Sequence, residues 1–134
     1  MNTRWWNSLT DELIDVAKDN TPAYVYSLQT VEDQCKSLRR NLTAVDRYYY
    51  AMKANNHLQV LNTVINEGFG IECVSLGEVR FIRRNFPLSV PVLYTPNFCD
   101  PLDYAEAFIL KANVVVDEPD LLKKYPSIFQ NKQF

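Results

Sequence analysis

The chain has 134 residues, with 14 Lys and Arg against 16 Asp and Glu and a formal net charge of −2. That balance lacks the basic excess of an electrostatic nucleic-acid binder, and 47% hydrophobic with 22% charged residues is a globular composition, not a disordered one. The length suits one domain, three glycines and seven prolines exclude low-complexity or collagen-like character, and no apolar run reaches the ~20 residues of a membrane span.

The opening Met1–Trp6 lacks the apolar core of a signal peptide, so a cytoplasmic location is expected. Ala23–Tyr26, reached through Thr21 and Pro22, is the first β-rich run. A helix follows over 30–42, with Val31, Gln34, Cys35 and Leu38 at helical spacing, Thr30 as the expected N-cap and Asp33 as a weak capping-box partner. The second run, 47–52, is rich in tyrosine. The next helix, over 58–67, carries Leu58, Leu61, Val64 and Ile65 on one face, and Gly68 stops it. The third run, 70–74, leads to a helix over 76–85 that Pro87 prevents from continuing. The fourth run, 90–94, is followed by a helix over 101–111 with Pro101 in its first turn. The fifth run, 113–116, precedes a short helix over 119–124 that Pro126 ends, and a polar tail runs from Ser127 to Phe134.

This rhythm of strand and helix predicts an α/β fold with a parallel sheet. Unalternating runs such as Val114-Val115-Val116 suit strands covered on both faces. Cys35, Cys73 and Cys99 form no C-x-x-C pair, and His57 is the only histidine, so these residues cannot supply a four-ligand structural zinc site. The expectation is reduced and mostly buried thiols.

In parallel α/β folds the chemistry gathers at the carboxyl ends of the strands. Here those ends carry Lys53-Ala54-Asn55-Asn56, Ser75, Thr95-Pro96-Asn97 and Asp117, which predicts one polar rim. Lys53 is the sharpest candidate. Strand alternation puts it on the face of Tyr49 and Ala51. There, partial desolvation would disfavour its ammonium form, as an amine that condenses with a carbonyl requires. The competing reading is a strand-end lysine extended into water. Glu72 sits inside an apolar run, where an unpaired carboxylate is costly, and the neighbouring strand offers Lys53 as its partner. Its competing reading is an outward carboxylate on a solvated surface. His57 reads as an exposed residue near a helix start, Tyr48-Tyr49-Tyr50 as packing, and Gly68-Phe69-Gly70 as a turn without the third glycine of a nucleotide loop.

Tyr50-Ala51-Met52-Lys53-Ala54-Asn55 resembles the lysine segment of the pyridoxal-phosphate-dependent ornithine/diaminopimelate/arginine decarboxylases, whose barrel is alanine-racemase-like. Gly70–Glu78 is similar to the family's second-strand segment, 21–26 to its N-terminal strand, and 94–98 and 115–117 to its third and fourth strands. The resemblance covers about residues 21–129 and is strongest to the diaminopimelate decarboxylase branch. Trp5-Trp6 and 126–129 are similar to the form fused to aspartate kinase.

The resemblance implies that Lys53 holds pyridoxal 5'-phosphate. It implies that Glu72 holds the amine of Lys53 and, with Ala51, lines the cofactor. The implied reaction takes meso-diaminopimelate to L-lysine and carbon dioxide. The implied fold is a partial (β/α) TIM-type barrel of roughly four strand–helix units, with 1–43 as a lead-in strand and helix and 44–134 as the first barrel half. A complete barrel takes about 250 residues, and the family's glycine-rich phosphate loop, the acidic partner of the pyridine nitrogen and the C-terminal β domain have no counterpart here. The chain alone is therefore expected to be inactive, as a truncated product, a split half or an excised segment. The implied partners are an amino-acid substrate, the missing C-terminal half and, for the full-length family, a second subunit; neither nucleic acid nor membrane is expected. An ornithine or arginine decarboxylase segment and a non-catalytic cofactor-binding remnant remain the alternatives.

Overall fold

The computed structural model describes residues 4–132; Met1–Thr3 of the opening segment and Gln133–Phe134 of the tail lie outside the described residues. Four short strands, β1 (Tyr49–Ala51), β2 (Gly70–Cys73), β3 (Val92–Tyr94) and β4 (Asn113–Val114), form one sheet in the order β1-β2-β3-β4. Every pairing is parallel, with Ala51 opposite Glu72, Glu72 opposite Leu93, and Leu93 opposite Asn113. Helices α3 (Leu58–Asn66), α4 (Leu76–Asn85) and α5 (Pro101–Ile109) make the three crossovers, as parallel strands require. The result is a partial β/α barrel, with β1 and β4 as its two edges.

The core lies between the sheet and these helices. Ile71, Cys73, Val92, Tyr94 and Val114 alternate onto the helix-facing side and are all but inaccessible. They meet Val60, Leu61 and Val64 of α3, Leu76, Val79 and Ile82 of α4, and Tyr104 and Ala107 of α5. Gly68 after α3 adopts φ +82°, which glycine takes without strain. Gly70 is needed for a different reason: a Cβ there would lie 2.6 Å from the ring of Tyr49 and 2.8 Å from the Pro91 carbonyl oxygen. The tyrosine cluster does pack, Tyr48 against Phe69 with ring centroids 5.2 Å apart.

Ahead of the barrel lie a 3-10 turn (Trp5–Ser8), α1 (Thr10–Asn20) and α2 (Leu28–Asn41). The last packs on α3, and Arg39 Nη1 donates to the Glu67 carbonyl at 3.0 Å. Beyond β4 come α6 (Asp120–Lys124) and α7 (Pro126–Phe129).

Several expectations need correction. Ala23–Tyr26 is not a strand: it has no ladder partner, and Tyr24 is 92% exposed. Composition favours a strand there, but a strand exists only where another edge supplies hydrogen bonds. The cap of α2 is Ser27, not Thr30; its Oγ accepts the Thr30 N–H at 3.1 Å. Helix α1, over Thr10–Asn20, has no counterpart among the elements that the sequence predicts. Helix α6 does end at Lys124 ahead of Pro126, but Pro126 also opens α7, whose Phe129 is buried although the tail reads as polar. The second, fourth and fifth runs are trimmed to the residues that find partners across the ladder. All three cysteines are free, with Cys35 and Cys73 buried and Cys99 half-buried. No helix among the described residues is long and apolar enough to cross a membrane.

Candidate functional site

Strand β1 stops at Ala51, and the chain turns through a 3-10 segment, Met52–Ala54. Met52, 2% exposed, pins that turn into the core. A 3-10 turn advances about 120° per residue, so Lys53 does not continue the alternation of Tyr49 and Ala51. Its side chain is exposed, not partly desolvated as expected. The loop beyond is fixed by its own polar groups. Tyr50 Oη donates to the Asn55 carbonyl at 3.3 Å, and Asn55 Oδ1 accepts the His57 N–H at 2.8 Å. His57 caps α3, its Nδ1 accepting the Gln59 N–H at 3.3 Å, which leaves the ring proton on Nε2.

Lys53 opens on a cavity of about 800 Å³, within the size range of small-molecule sites. Met52, Asn55 and His57 share its wall with Lys53, Tyr24 and Tyr26 of the lead-in face them, and Glu78 reaches it from α4. Glu78 was not among the expected site residues. It belongs to a capping arrangement at the α4 start: Ser75 Oγ accepts the Glu78 N–H at 3.3 Å, and Glu78 Oε2 accepts the Val74 N–H at 2.7 Å. The pattern Ser75-x-x-Glu78 before an apolar helix face is the signal that could have found it.

Glu72 lies on the open face of β2, half-buried, between Ala51 and Leu93 in register. Its partner is not Lys53, which takes part in none of the ion pairs among the described residues. Glu72 Oε1 instead accepts a hydrogen bond from Thr95 Oγ1 at the end of β3. The 3-10 turn at Met52–Ala54 takes Lys53 out of the β1 ladder, so strand register alone does not pair it with Glu72.

Asp117, past the end of β4, ties the rim to α5. Tyr104 Oη donates to Asp117 Oδ1 at 2.8 Å, and the Phe98 N–H donates to Oδ2 at 3.4 Å. The Tyr104 hydroxyl, followed by backbone N–H groups, holds the Asp117 carboxyl below the ordinary carboxylate range. Burial, with Asp117 beside it, pushes the Tyr104 phenol up. Burial and the neighbouring Glu78 and Glu72 charges push the Cys73 thiol up to about 12, so it is an inert core group. Of the expected rim residues, the fold thus joins Thr95 to Glu72 and Asp117 to the Phe98 backbone, makes Ser75 a helix cap, and leaves Lys53 on its own cavity.

An aldehyde-bearing cofactor needs a reachable amine with room beside it, and Lys53 meets both conditions. No second lysine and no arginine lines the cavity among the described residues. The cavity therefore fits the aldehyde end of such a group, and among the described residues it presents no cationic side chain besides Lys53 and its one histidine to a phosphate.

The family profile described as "Pyridoxal-dependent decarboxylase, pyridoxal binding domain" matches residues 28–132. This chain belongs to that family. Its cofactor is pyridoxal phosphate. A diaminopimelate decarboxylase of Deinococcus radiodurans is 35% identical over 101 residues, which is 75% of this chain and 26% of that protein. One from Campylobacter jejuni is 36% identical over 62 residues, 46% of this chain and 15% of that protein. The chain thus spans about a quarter or less of the length of these relatives. The arginine decarboxylase of Paramecium bursaria Chlorella virus, solved with agmatine, superposes with a TM-score of 0.75 at 22% identity, covering 93% of this chain and 34% of that one. That is a likeness of fold.

Proposed function

We propose that this chain is the cofactor-lysine portion of a diaminopimelate decarboxylase, acting in the conversion of meso-diaminopimelate to L-lysine and carbon dioxide. The observation that carries this reading is Lys53: an exposed amine at the carboxyl end of the first barrel strand, opening on a cavity of about 800 Å³, in a chain whose relatives include diaminopimelate decarboxylases. In this reading Lys53 holds the cofactor through its ε-amine and gives it up to the substrate amine. Ala51 keeps the strand surface beneath it low, and Glu72 presents a carboxylate on the adjoining strand toward that amine. Pyridoxal phosphate, when bound, supplies the electron sink for the pair left by the departing carboxyl group. The protein's share is to orient the bond that breaks and to keep the amine available.

The same reading makes the chain inactive alone. The sheet ends at β1 and β4, so it supplies half a rim, and among the described residues no arginine and no lysine besides Lys53 lines the cavity. Residues 1–43 serve as a lead-in and 44–134 as half of the cofactor barrel, in a cytoplasmic enzyme that the remaining half completes. The test is complementation in trans. The chain is mixed with the remaining segment of the Deinococcus radiodurans relative, and carbon dioxide release is followed from meso-diaminopimelate, ornithine and arginine in parallel. Release from meso-diaminopimelate by the mixture, and by neither part alone, is expected. Preference for ornithine or arginine would replace the substrate, and release by the chain alone would overturn its inactivity.

A further inference from the structure

Among the described residues Glu72 is the carboxylate on the open face of the sheet, and its partner lies just past the end of the neighbouring strand β3. Thr95 follows β3 directly. Its backbone is fixed, because its N–H donates to the Cys73 carbonyl at 2.9 Å, continuing the β2–β3 ladder by one residue. Its side chain alternates to the face opposite Tyr94, the face of Leu93 and Glu72. From there its hydroxyl donates to Glu72 Oε1. A threonine hydroxyl on a β-branched, fixed backbone has few rotamers to choose from, so it holds the carboxylate in one orientation. The second oxygen, Oε2, takes part in no hydrogen bond among the described residues. A glutamate carries one more methylene than an aspartate at the same place, with one more torsion to restrain. The Thr95 bond restrains it.

We propose that Thr95 is a positioning residue that fixes the Glu72 carboxylate on the open face of the sheet, leaving Oε2 as the oxygen that meets the amine of Lys53 when the cofactor is handled. This rests on the reading of Lys53 and Glu72 given above for its consequence, but not for the pairing itself. Thr95 does not touch the cofactor; it acts through Glu72.

The pairing is tested on the full chain by carbon-13 NMR of the labelled glutamate carboxylates, the Glu72 signal being assigned by its loss in Glu72→Gln. Thr95→Val removes the hydroxyl at nearly constant shape and is expected to move the Glu72 signal, while Thr95→Ser restores it. Thr95→Ala replaces the valine variant if that one fails to fold. The consequence is tested by the rate at which pyridoxal phosphate becomes attached to Lys53, read by borohydride reduction and peptide mapping. Thr95→Val should slow attachment about threefold to tenfold, Thr95→Ser should recover it, and in a Glu72→Gln background Thr95→Val should change nothing further. An unmoved Glu72 signal in Thr95→Val, or equal slowing in the Glu72→Gln background, overturns the proposal. If Glu72→Gln itself leaves attachment unchanged while the NMR signal responds to Thr95, the role of Glu72 toward Lys53 falls and the Thr95–Glu72 pairing stands.

Discussion

The two faces of the sheet differ in what they ask of a residue. On the helix-facing side, Ile71, Cys73, Val92, Tyr94 and Val114 are 0–2% exposed and meet three helices. On the open side, Ala51, Glu72, Leu93 and Thr95 are only half-buried, and a side-chain bond joins Glu72 on β2 to Thr95 at the end of β3. The first face is apolar, closely packed and indifferent to chemistry. The second holds the carboxylate, and the strand ends that border it hold the lysine and the other polar groups. Stability should therefore concentrate on one side of the same four strands and function on the other.

The most severe way to break this contrast is Ile71→Ala. Removing a fully buried side chain should cost about 2–5 kcal/mol, including the cavity left behind. Leu93→Ala, one strand over on the open face, should cost about 1 kcal/mol or less. Urea midpoints of the two variants measure the difference, and equal losses would erase the distinction between the faces. Gly70→Ala comes next, at roughly 1–3 kcal/mol. The new methyl would meet a backbone oxygen as well as the Tyr49 ring, so shrinking Tyr49 should recover only part of the loss.

Tyr104→Phe sharpens the contrast at the rim, where a buried phenol serves an exposed carboxylate; about 1 kcal/mol is expected near neutral pH. The sign of its pH dependence follows from Asp117. The folded state holds this carboxyl below its ordinary range, so its contribution is present above the unfolded-state value and is lost as the pH falls through the folded one. The gap between wild type and Tyr104→Phe should accordingly narrow in acid, as urea midpoints at neutral and strongly acidic pH would show. Ser75→Ala, which removes the α4 cap, should cost a similar or smaller amount, about 0.5–1 kcal/mol. Its more telling readout is the Val74 amide: freed of order at the helix start, it should exchange faster with solvent.

The closed face was readable in the sequence because packing follows periodicity. Helix α4 has the expected bounds, 76–85, since Ser75 is a good cap and Pro87 prevents continuation. The apolar runs at 70–74 and 90–94 identify β2 and β3, and pairing then decides how much of each is strand. Ala23–Tyr26 misleads for the same reason in reverse. Its composition suits a strand, and nothing lies beside it to pair with. Helix α1 escaped because Leu9, at its N-cap position, makes no side-chain cap and none of its residues is buried. On the open face, Lys53 and Glu72 could be picked out as residue types, but not their relation. A period of two carries Lys53 onto the face of Ala51 only if the strand continues, and whether a strand continues past Ala51 depends on Met52 finding the core.

The claim on which the rest depends is that Lys53 is the amine that holds the cofactor. Incubating the chain with pyridoxal phosphate, reducing with borohydride and mapping the modified peptide tests it directly. Modification centred on Lys53, and lost in Lys53→Ala, is expected. Modification spread evenly over Lys18, Lys36, Lys123 and the other exposed lysines, with Lys53 no faster than these, would contradict it.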